Sequence, residues 1–320
     1  MKKNKIKNTG LEITELSFGT SSLGSMPDTY GYEVSEDRAQ KTLNRFFQGP
    51  VNMLDTSRNY AMGESEKRIG RAIKENGGWP KDFLLSTKLD RNMDTLVLDK
   101  NRARESLEES LKILNVDSVD ILFLHDPEYA KDITDITKKD GAMDELFKIK
   151  NEGLAKAVGV AMGKVDIMFP LLKDWDFDVI INHNRYTLIN REANKMYEYA
   201  SSKNIAIFNA APYAGGVLAK GPDNFKKVTY QDATEEKLAP AREFEKVCKK
   251  HNVELGAAAL QFSLRDNRIT STICGVTSVE SIEKNLAWAN AEISGEFWDE
   301  VLKLPFSSND PESDRVFTPG

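Results

Sequence analysis

Short apolar segments alternate with longer amphipathic segments along almost the whole chain, and this alternation constrains the fold most. The apolar segments predict β-strands at residues 16–18, 51–54, 83–87, 119–124, 157–161, 179–182, 205–209 and 272–275. The amphipathic segments predict helices at residues 35–48, 64–75, 100–114, 143–151, 164–173, 192–202, 235–250 and 279–289, with a further apolar helix at 255–264. Strands that alternate with helices form a parallel sheet, and near-continuous apolar strands are buried on both faces. Eight such units predict an α/β fold, a (β/α)8 TIM barrel.

The length and composition of the chain agree with one barrel domain over residues 1–320. Hydrophobic residues make up 40% and charged residues 29% of the 320 residues, as in soluble globular proteins. An Asn-Thr-Gly turn predicts an N-terminal β-hairpin at residues 5–14, and an irregular tail is expected at residues 304–320. Two connections, at residues 126–140 and 213–234, are longer than usual and are candidate substrate-binding loops.

Charge and cysteine content exclude several classes of protein. The net charge is −6, from 44 basic and 50 acidic residues, which gives no electrostatic reason to bind nucleic acid. Two cysteines, Cys248 and Cys274, cannot form a disulfide framework, which favours a reducing compartment. No apolar segment approaches the roughly 20 residues of a membrane helix, and no apolar region follows the basic start as in a signal peptide. We therefore expect a cytoplasmic protein with no membrane partner.

Four ionisable residues lie at or just beyond the ends of three successive predicted strands. In chain order they are Asp55, Tyr60, Lys88 and His125. The C-terminal ends of barrel strands share one rim, so these side chains are expected to meet there. A free phenol has a pKa of about 10, and a neighbouring cation lowers it. Lys88, held by Asp55, could be that cation for Tyr60, which would then exchange protons as a general acid or base. His125 could donate a hydrogen bond to a carbonyl oxygen.

The segment that contains Asp55 and Tyr60 resembles the signature of the aldo-keto reductase family. The signature consists of Asp55-Thr56-Ser57-Arg58-Asn59-Tyr60, followed by Gly63-Glu64-Ser65-Glu66 and Ile69-Gly70. Further similar elements, in the same order, are Phe18-Gly19-Thr20, Ser86-Thr87-Lys88, Leu124-His125-Asp126-Pro127, Gly153 with Val158-Gly159-Val160, and the strand at 272–275 leading to Asn285. The resemblance extends over residues 5–290. Within the family, residues 208–213 are most similar to the sugar (aldose) dehydrogenases.

The resemblance implies hydride transfer between a nicotinamide cofactor and a small carbonyl or alcohol substrate, such as an aldehyde or aldose, without a metal. It implies that Tyr60 is the general acid/base, with Lys88 as the partner that lowers its pKa. It also implies that Asp55 pairs with Lys88 and that His125 orients the substrate carbonyl. The cofactor-binding residues that it implies are Gly19, Thr20, Asn182, Ala211, Pro212, Tyr213, Gly275, Thr277, Lys284 and Asn285. The oligomeric state stays open.

Two positions depart from the family pattern around the nicotinamide. The family usually has Ser-Asn after the fifth strand to hold the carboxamide group, and this chain has Ala161-Met162. Asn182 is expected to keep a third contact with the carboxamide. Many members have an aromatic residue that stacks on the nicotinamide, where this chain has Ala210. Phe208 or Tyr213 could replace that aromatic residue.

The cofactor is either NAD or NADP. Members that prefer NADP often carry Arg or Lys after the last strand and at the start of the last helix, where these pair with the 2′-phosphate. Those places hold Thr277, Ser278 and Ser281, with Lys284 nearby, which favours NAD. One alternative is a reductase-like sensor or partner-docking module that binds the cofactor with little catalysis. A metal-dependent lyase or hydrolase would need a set of Asp, Glu or His ligands that the sequence lacks.

Overall fold

The computed structural model describes residues 1–313 and Arg315, and eight of its strands close into a parallel barrel. The strands are β1 Lys3–Ile6, β2 Leu11–Thr14, β3 Leu16–Gly19, β4 Met53–Asp55, β5 Leu84–Leu89, β6 Val119–His125, β7 Ala155–Met162, β8 Val179–His183, β9 Ala206–Ala210, β10 Lys227–Val228, β11 Gln231–Asp232 and β12 Ser271–Gly275. Strands β3 to β9 follow one another around the barrel, and β12 pairs with both β9 and β3. The predicted (β/α)8 TIM barrel is confirmed.

Helices lie between the barrel strands and cover their outer faces. They are α1 Pro27–Tyr30, α2 Glu36–Phe47, α3 Glu64–Glu75, α4 Lys100–Leu114, α5 Thr134–Thr137, α6 Ala142–Asn151, α7 Val165–Asp174, α8 Asn194–Ser202, α9 Val217–Lys220, α10 Glu235–Lys250, α11 Leu255–Leu264, α12 Val279–Ala289 and α13 Gly295–Val301. Ser35, Asp99 and Thr234 each accept a hydrogen bond from a backbone N–H of the first helical turn, so they cap α2, α4 and α10. Ser278 forms a capping box with Ser281 and fixes the start of α12.

Apolar side chains fill both the barrel interior and the layer between barrel and helices. Inside the barrel, Phe123 and Phe208 meet edge to face, with ring centroids 6.2 Å apart. Strands β7 and β8 approach so closely that a Cβ atom on Gly159 would lie 1.7 Å from the carbonyl oxygen of Val179. The predicted hairpin is β1 and β2, beginning at Lys3, and its apolar side chains belong to the same interior cluster. The hairpin therefore closes the N-terminal end of the barrel.

The two long connections contain short elements of their own. Residues 126–140 include a helical turn at Pro127–Tyr129 and α5, and residues 213–234 include α9, β10 and β11. After α13 the chain is irregular as far as it is described, with a bridge between Ser307 and Asn190. Residues 314 and 316–320 of the predicted tail lie outside the described residues. Within the described chain, every helix is too short or too polar to cross a membrane.

Candidate active site

A cavity of about 480 Å³ opens at the C-terminal ends of the barrel strands. The four ionisable residues expected at this rim all line it: Asp55, Tyr60, Lys88 and His125. Asp55 and His125 are the last residues of β4 and β6, and Lys88 lies near the end of β5, so the barrel itself brings three of the four together. Tyr60 reaches the cavity from the loop after β4.

Asp55 and Lys88 form a buried ion pair at the base of the cavity. The Lys88 Nζ atom lies 2.8 Å from Asp55 Oδ2 and 3.0 Å from Oδ1, and it donates a third bond to the Thr56 carbonyl oxygen at 2.6 Å. The Ser86 hydroxyl donates to Asp55 Oδ1 at 2.6 Å. Only 1% of Lys88 and 4% of Asp55 is exposed. Because the pair and its hydrogen-bond partners satisfy one another, two charges can persist without water.

The Tyr60 ring packs between Lys88 and His125. Lys88 Nζ lies 4.6 Å from the Tyr60 ring centroid, and the His125 ring meets Tyr60 edge to face at 5.7 Å. Loss of water around the phenol raises the pKa of Tyr60 well above its usual range, and the Asp55 carboxylate raises it further. The lowering of this pKa by Lys88 therefore stays a prediction.

The chain turns sharply after Tyr60. Ala61 and Met62 adopt left-handed backbone conformations, with φ of 50° and 53°, and Gly63 follows with φ of 93°. Such conformations are unfavourable for residues with a Cβ atom. Gly24 leaves the space that this turn needs, since a Cβ atom there would lie 2.6 Å from the Cβ atom of Ala61. The turn directs the Tyr60 ring back into the cavity.

His125 is held by a carboxylate that the sequence analysis missed. Its Nδ1 atom lies 2.5 Å from Asp90 Oδ1 and 3.1 Å from the Ser57 hydroxyl, whereas Nε2 lies 3.7 Å from Asp126 Oδ2. Burial alone lowers the pKa of His125, but the Asp90 and Asp126 carboxylates outweigh burial and raise it. The signal in the sequence was an aspartate two residues after Lys88, directly beyond the end of β5.

Most residues expected to bind the cofactor line the same cavity. They are Gly19, Thr20, Ala211, Tyr213, Gly275, Thr277, Lys284 and Asn285. The Tyr213 hydroxyl lies 2.5 Å from Asn285 Oδ1, which joins the loop after β9 to α12. The cavity therefore extends from the four rim residues to the first turns of α12.

Two of the expected cofactor-binding residues are placed elsewhere. Asn182 is 0% exposed, and its side-chain amide donates to the carbonyl oxygens of Met162 and Gly163 at 3.0 and 2.8 Å. The pleat of β8 turns its neighbours Ile181 and His183 toward the cavity instead. Pro212 is buried and is likewise not among the described residues that line the cavity. Asn182 and Pro212 thus lie outside the described lining of the cavity, and their expected contacts with the cofactor stay predictions.

Two of the three residues that depart from the family pattern face the cavity, whereas the third, Met162, is 0% exposed. Ala161 and Ala210 both line the cavity, so methyl groups stand where the family usually offers polar and aromatic side chains. Phe208 lies in the barrel interior against Phe123 and cannot supply the missing ring. Tyr213 lines the cavity, although its hydroxyl group is already bonded to Asn285. Of the two residues that could replace the missing aromatic ring, Phe208 and Tyr213, Tyr213 is the one that lines the cavity.

Comparisons with known proteins agree with this architecture. The model of the aldo/keto reductase family matches residues 15–304. L-galactose dehydrogenase from Arabidopsis thaliana is 31% identical over 284 residues, which are 88% of this chain and 85% of that protein. D-threo-aldose 1-dehydrogenase from a Pseudomonas species is 28% identical over 321 residues, covering 92% of this chain and 94% of that protein.

A solved aldo-keto reductase from Bacillus halodurans, determined in its holo form, has the same fold. It aligns with a TM-score of 0.78 at 20% identity and covers 99% of this chain and 100% of that one. The family match spans nearly the entire barrel and contains all four rim residues. The chain belongs to the aldo-keto reductase family, whose members are oxidoreductases.

Proposed function

We propose that this protein is an NAD(P)-dependent oxidoreductase that interconverts an aldehyde or aldose and the corresponding alcohol or oxidised sugar by hydride transfer. The observation that carries the proposal is the contact of the Tyr60 ring with the buried Asp55–Lys88 ion pair on one side and with His125 on the other. The similarity to L-galactose dehydrogenase and D-threo-aldose 1-dehydrogenase supports a sugar or another polar aldehyde as the substrate.

In this proposal Tyr60 moves the proton. The bound cofactor supplies the hydride in reduction and accepts it in oxidation. The Tyr60 hydroxyl gives its proton to the carbonyl oxygen in reduction, and the phenolate takes it back in oxidation. Lys88 stays paired with Asp55, and this ion pair supports the Tyr60 ring. His125, whose Nδ1 atom is tied to Asp90, presents its other nitrogen to the substrate oxygen.

The cofactor half of the cavity suits an extended dinucleotide. The N-terminus of α12 carries the positive end of the helix dipole and favours phosphate groups. Thr277, Lys284 and Asn285 line the cavity there and would hold the adenosine part of the cofactor. A Cβ atom on Gly275 would meet only the Ser22 hydroxyl, at 3.9 Å, so the cavity stays open at the end of β12.

We propose NAD as the preferred cofactor. Lys284 is the one basic residue of α12, and its Nζ atom lies 3.9 Å from Glu254 Oε2. A 2′-phosphate on this side would meet the Glu254 carboxylate and find one lysine that is already near a counter-charge. Arginine, which pairs with phosphate through two parallel hydrogen bonds, is absent from α12.

A fluorescence titration tests cofactor binding. Trp288 lines the cavity, so a bound reduced nicotinamide cofactor is expected to quench tryptophan emission. NADH is expected to bind with micromolar or tighter affinity and roughly tenfold or more tightly than NADPH. A Trp79→Phe variant is the control, because Trp79 packs on Phe46 and Phe47 and its loss should leave the quenching unchanged.

Each contrary result of this titration has a distinct meaning. Tighter binding of NADPH would overturn the proposed preference for NAD, but it would leave the proposed oxidoreductase activity intact. Failure of both cofactors to bind would contradict the oxidoreductase proposal itself. The methyl groups of Ala161 and Ala210 would then outweigh the four rim residues.

A further inference from the structure

A buried carboxylate behind His125 has no assigned role. We propose that Asp90 is a positioning residue that keeps a proton on Nδ1 of His125 and so directs Nε2, with its own proton, toward the substrate oxygen. The tautomer part of this inference stands on geometry alone, whereas its meaning for the reaction rests on the proposed function.

Both oxygens of Asp90 are engaged inside the site. Oδ1 lies 2.5 Å from His125 Nδ1, and Oδ2 accepts from the Ser57 hydroxyl at 2.5 Å and from the Asn59 backbone N–H at 3.1 Å. The backbone N–H of Asp90 donates to the Ser106 hydroxyl at 2.8 Å, which fixes the loop after β5. The Asp90 side chain is 0% exposed, so no water competes for these contacts.

This geometry selects one form of the imidazole ring. An ionised carboxylate can only accept hydrogen bonds, so the nitrogen 2.5 Å from Asp90 must carry the proton. The hydrogen bond made by one ring nitrogen sets the state of the other. Nε2 of His125 is then the nitrogen left for the cavity, with Asp126 Oδ2 at 3.7 Å as its nearest carboxylate.

Charges on three sides of His125 decide whether Nε2 also carries a proton. Asp90 faces the ring from the loop after β5, and Asp126 faces it from the end of β6. Lys88, from β5, is the opposing cation, and Asp55 already pairs with it. The Tyr60 phenol, from the loop after β4, stays neutral at its raised pKa. Two carboxylates against one paired ammonium favour the imidazolium.

An imidazolium at this place helps the reaction without giving up its proton. Its Nε2–H would make a charge-assisted hydrogen bond to the oxygen that becomes negative as hydride adds to the carbonyl carbon. The proton that finally reaches this oxygen comes from Tyr60, and His125 keeps both of its own. Loss of the Asp90 charge would weaken this bond in the transition state, so kcat should fall more than KM rises.

Nitrogen NMR of the histidine rings measures the two predicted properties of His125 directly, namely its tautomer and the pH at which it titrates. The chain has three histidines, so His183→Gln and His251→Gln variants assign the remaining signals to His125. In wild type we expect the neutral ring to be protonated on Nδ1 and to titrate above about 6.5. In Asp90→Asn the titration midpoint is expected to fall by about one pH unit or more. Asp94→Asn, on the exposed part of the same loop, should shift nothing.

The contrary results are equally clear. A neutral wild-type ring protonated on Nε2, or an unchanged midpoint in Asp90→Asn, would overturn the proposal. The wild-type spectrum needs no variant, so it decides the tautomer even if Asp90→Asn does not fold. In turnover assays, Asp90→Asn should lower kcat about tenfold or more and shift its pH profile, with KM nearly unchanged. If the wild-type protein showed no turnover, the proposed oxidoreductase activity would be contradicted. The NMR result would still test the tautomer of His125.

Discussion

Replacement of Tyr60 by phenylalanine is expected to lower kcat/KM for carbonyl reduction by about 10²- to 10⁴-fold, the usual effect of losing a general acid. The substitution removes one hydroxyl group and keeps the ring that contacts His125 and Lys88. Cofactor affinity is therefore expected to survive. Steady-state kinetics and the quenching titration, made on the same preparation, separate the loss of proton transfer from a loss of binding.

The control for this variant is Tyr199→Phe. Tyr199 lies on α8 and packs on Phe169 outside the cavity, so its hydroxyl group should not affect turnover. If Tyr60→Phe kept the turnover of wild type, the role assigned to Tyr60 would be wrong.

The pH dependence of the wild-type rates follows from the raised pKa of Tyr60. The phenol stays protonated at and above neutral pH, so its own titration should not change the rate of carbonyl reduction in this range, and a change there would report the titration of His125. Alcohol oxidation needs the phenolate, and its rate should rise as the pH increases toward the pKa. An oxidation rate that fell above neutrality would contradict Tyr60 as the base.

Replacement of Lys88 by methionine is expected to reduce the free energy of unfolding by about 3–5 kcal/mol, the usual cost of leaving one buried charge without its partner. Asp55 would remain 4% exposed, with the Ser86 hydroxyl as the remaining bond to its Oδ1 atom. Urea denaturation at neutral pH measures the loss. The exposed pair of Lys41 and Asp37 supplies the control, because Lys41→Met should cost less than about 1 kcal/mol.

A double variant separates the charge from the shape of the site. Lys88→Met combined with Asp55→Asn removes both charges of this pair, and the asparagine can still accept a hydrogen bond from the Ser86 hydroxyl. We expect the double variant to recover most of the lost stability and none of the activity. Equal stability of the single and double variants would show that the unpaired Asp55 charge is not the cause of the loss.

The rim position of the catalytic candidates can be predicted from sequence because it follows from the strands. Asp55, Lys88 and His125 end or nearly end apolar strands, and parallel barrel strands bring such ends to one rim. Helix bounds can also be predicted from sequence where a long amphipathic segment follows a capping residue, as α4 follows Asp99. The prediction succeeds because each of these features depends on residues close together in the chain.

The direction of side chains in β8 could not be predicted. Val179, Ile180 and Ile181 are all buried, because one face of the strand packs in the barrel and the other against helices. A strand that is apolar on both faces has no alternation to reveal which residues point inward. The sequence therefore could not show that Ile181 and His183 line the cavity whereas Asn182 is buried beside it.

The Asp90–His125 contact and the pKa of Tyr60 depend on features that the sequence does not display. Asp90 follows β5 and His125 ends β6, so their 2.5 Å contact arises from the geometry of neighbouring loops. The shift at Tyr60 depends on how much water reaches the phenol and on its distance from Asp55. The short helices α5 and α9 are too brief to show helical periodicity.

The most direct test of the central claim is to follow hydride transfer itself. A panel of aldoses and primary alcohols, each deuterated at the carbon that bears the reacting hydroxyl group, is incubated with NAD or NADP and the wild-type protein. Mass spectrometry then measures deuterium in the reduced nicotinamide. We predict one deuterium per cofactor reduced with at least one substrate, and a rate of transfer at least about 10²-fold lower with Tyr60→Phe. No transfer to either cofactor across the panel, or equal transfer by Tyr60→Phe, would contradict the account.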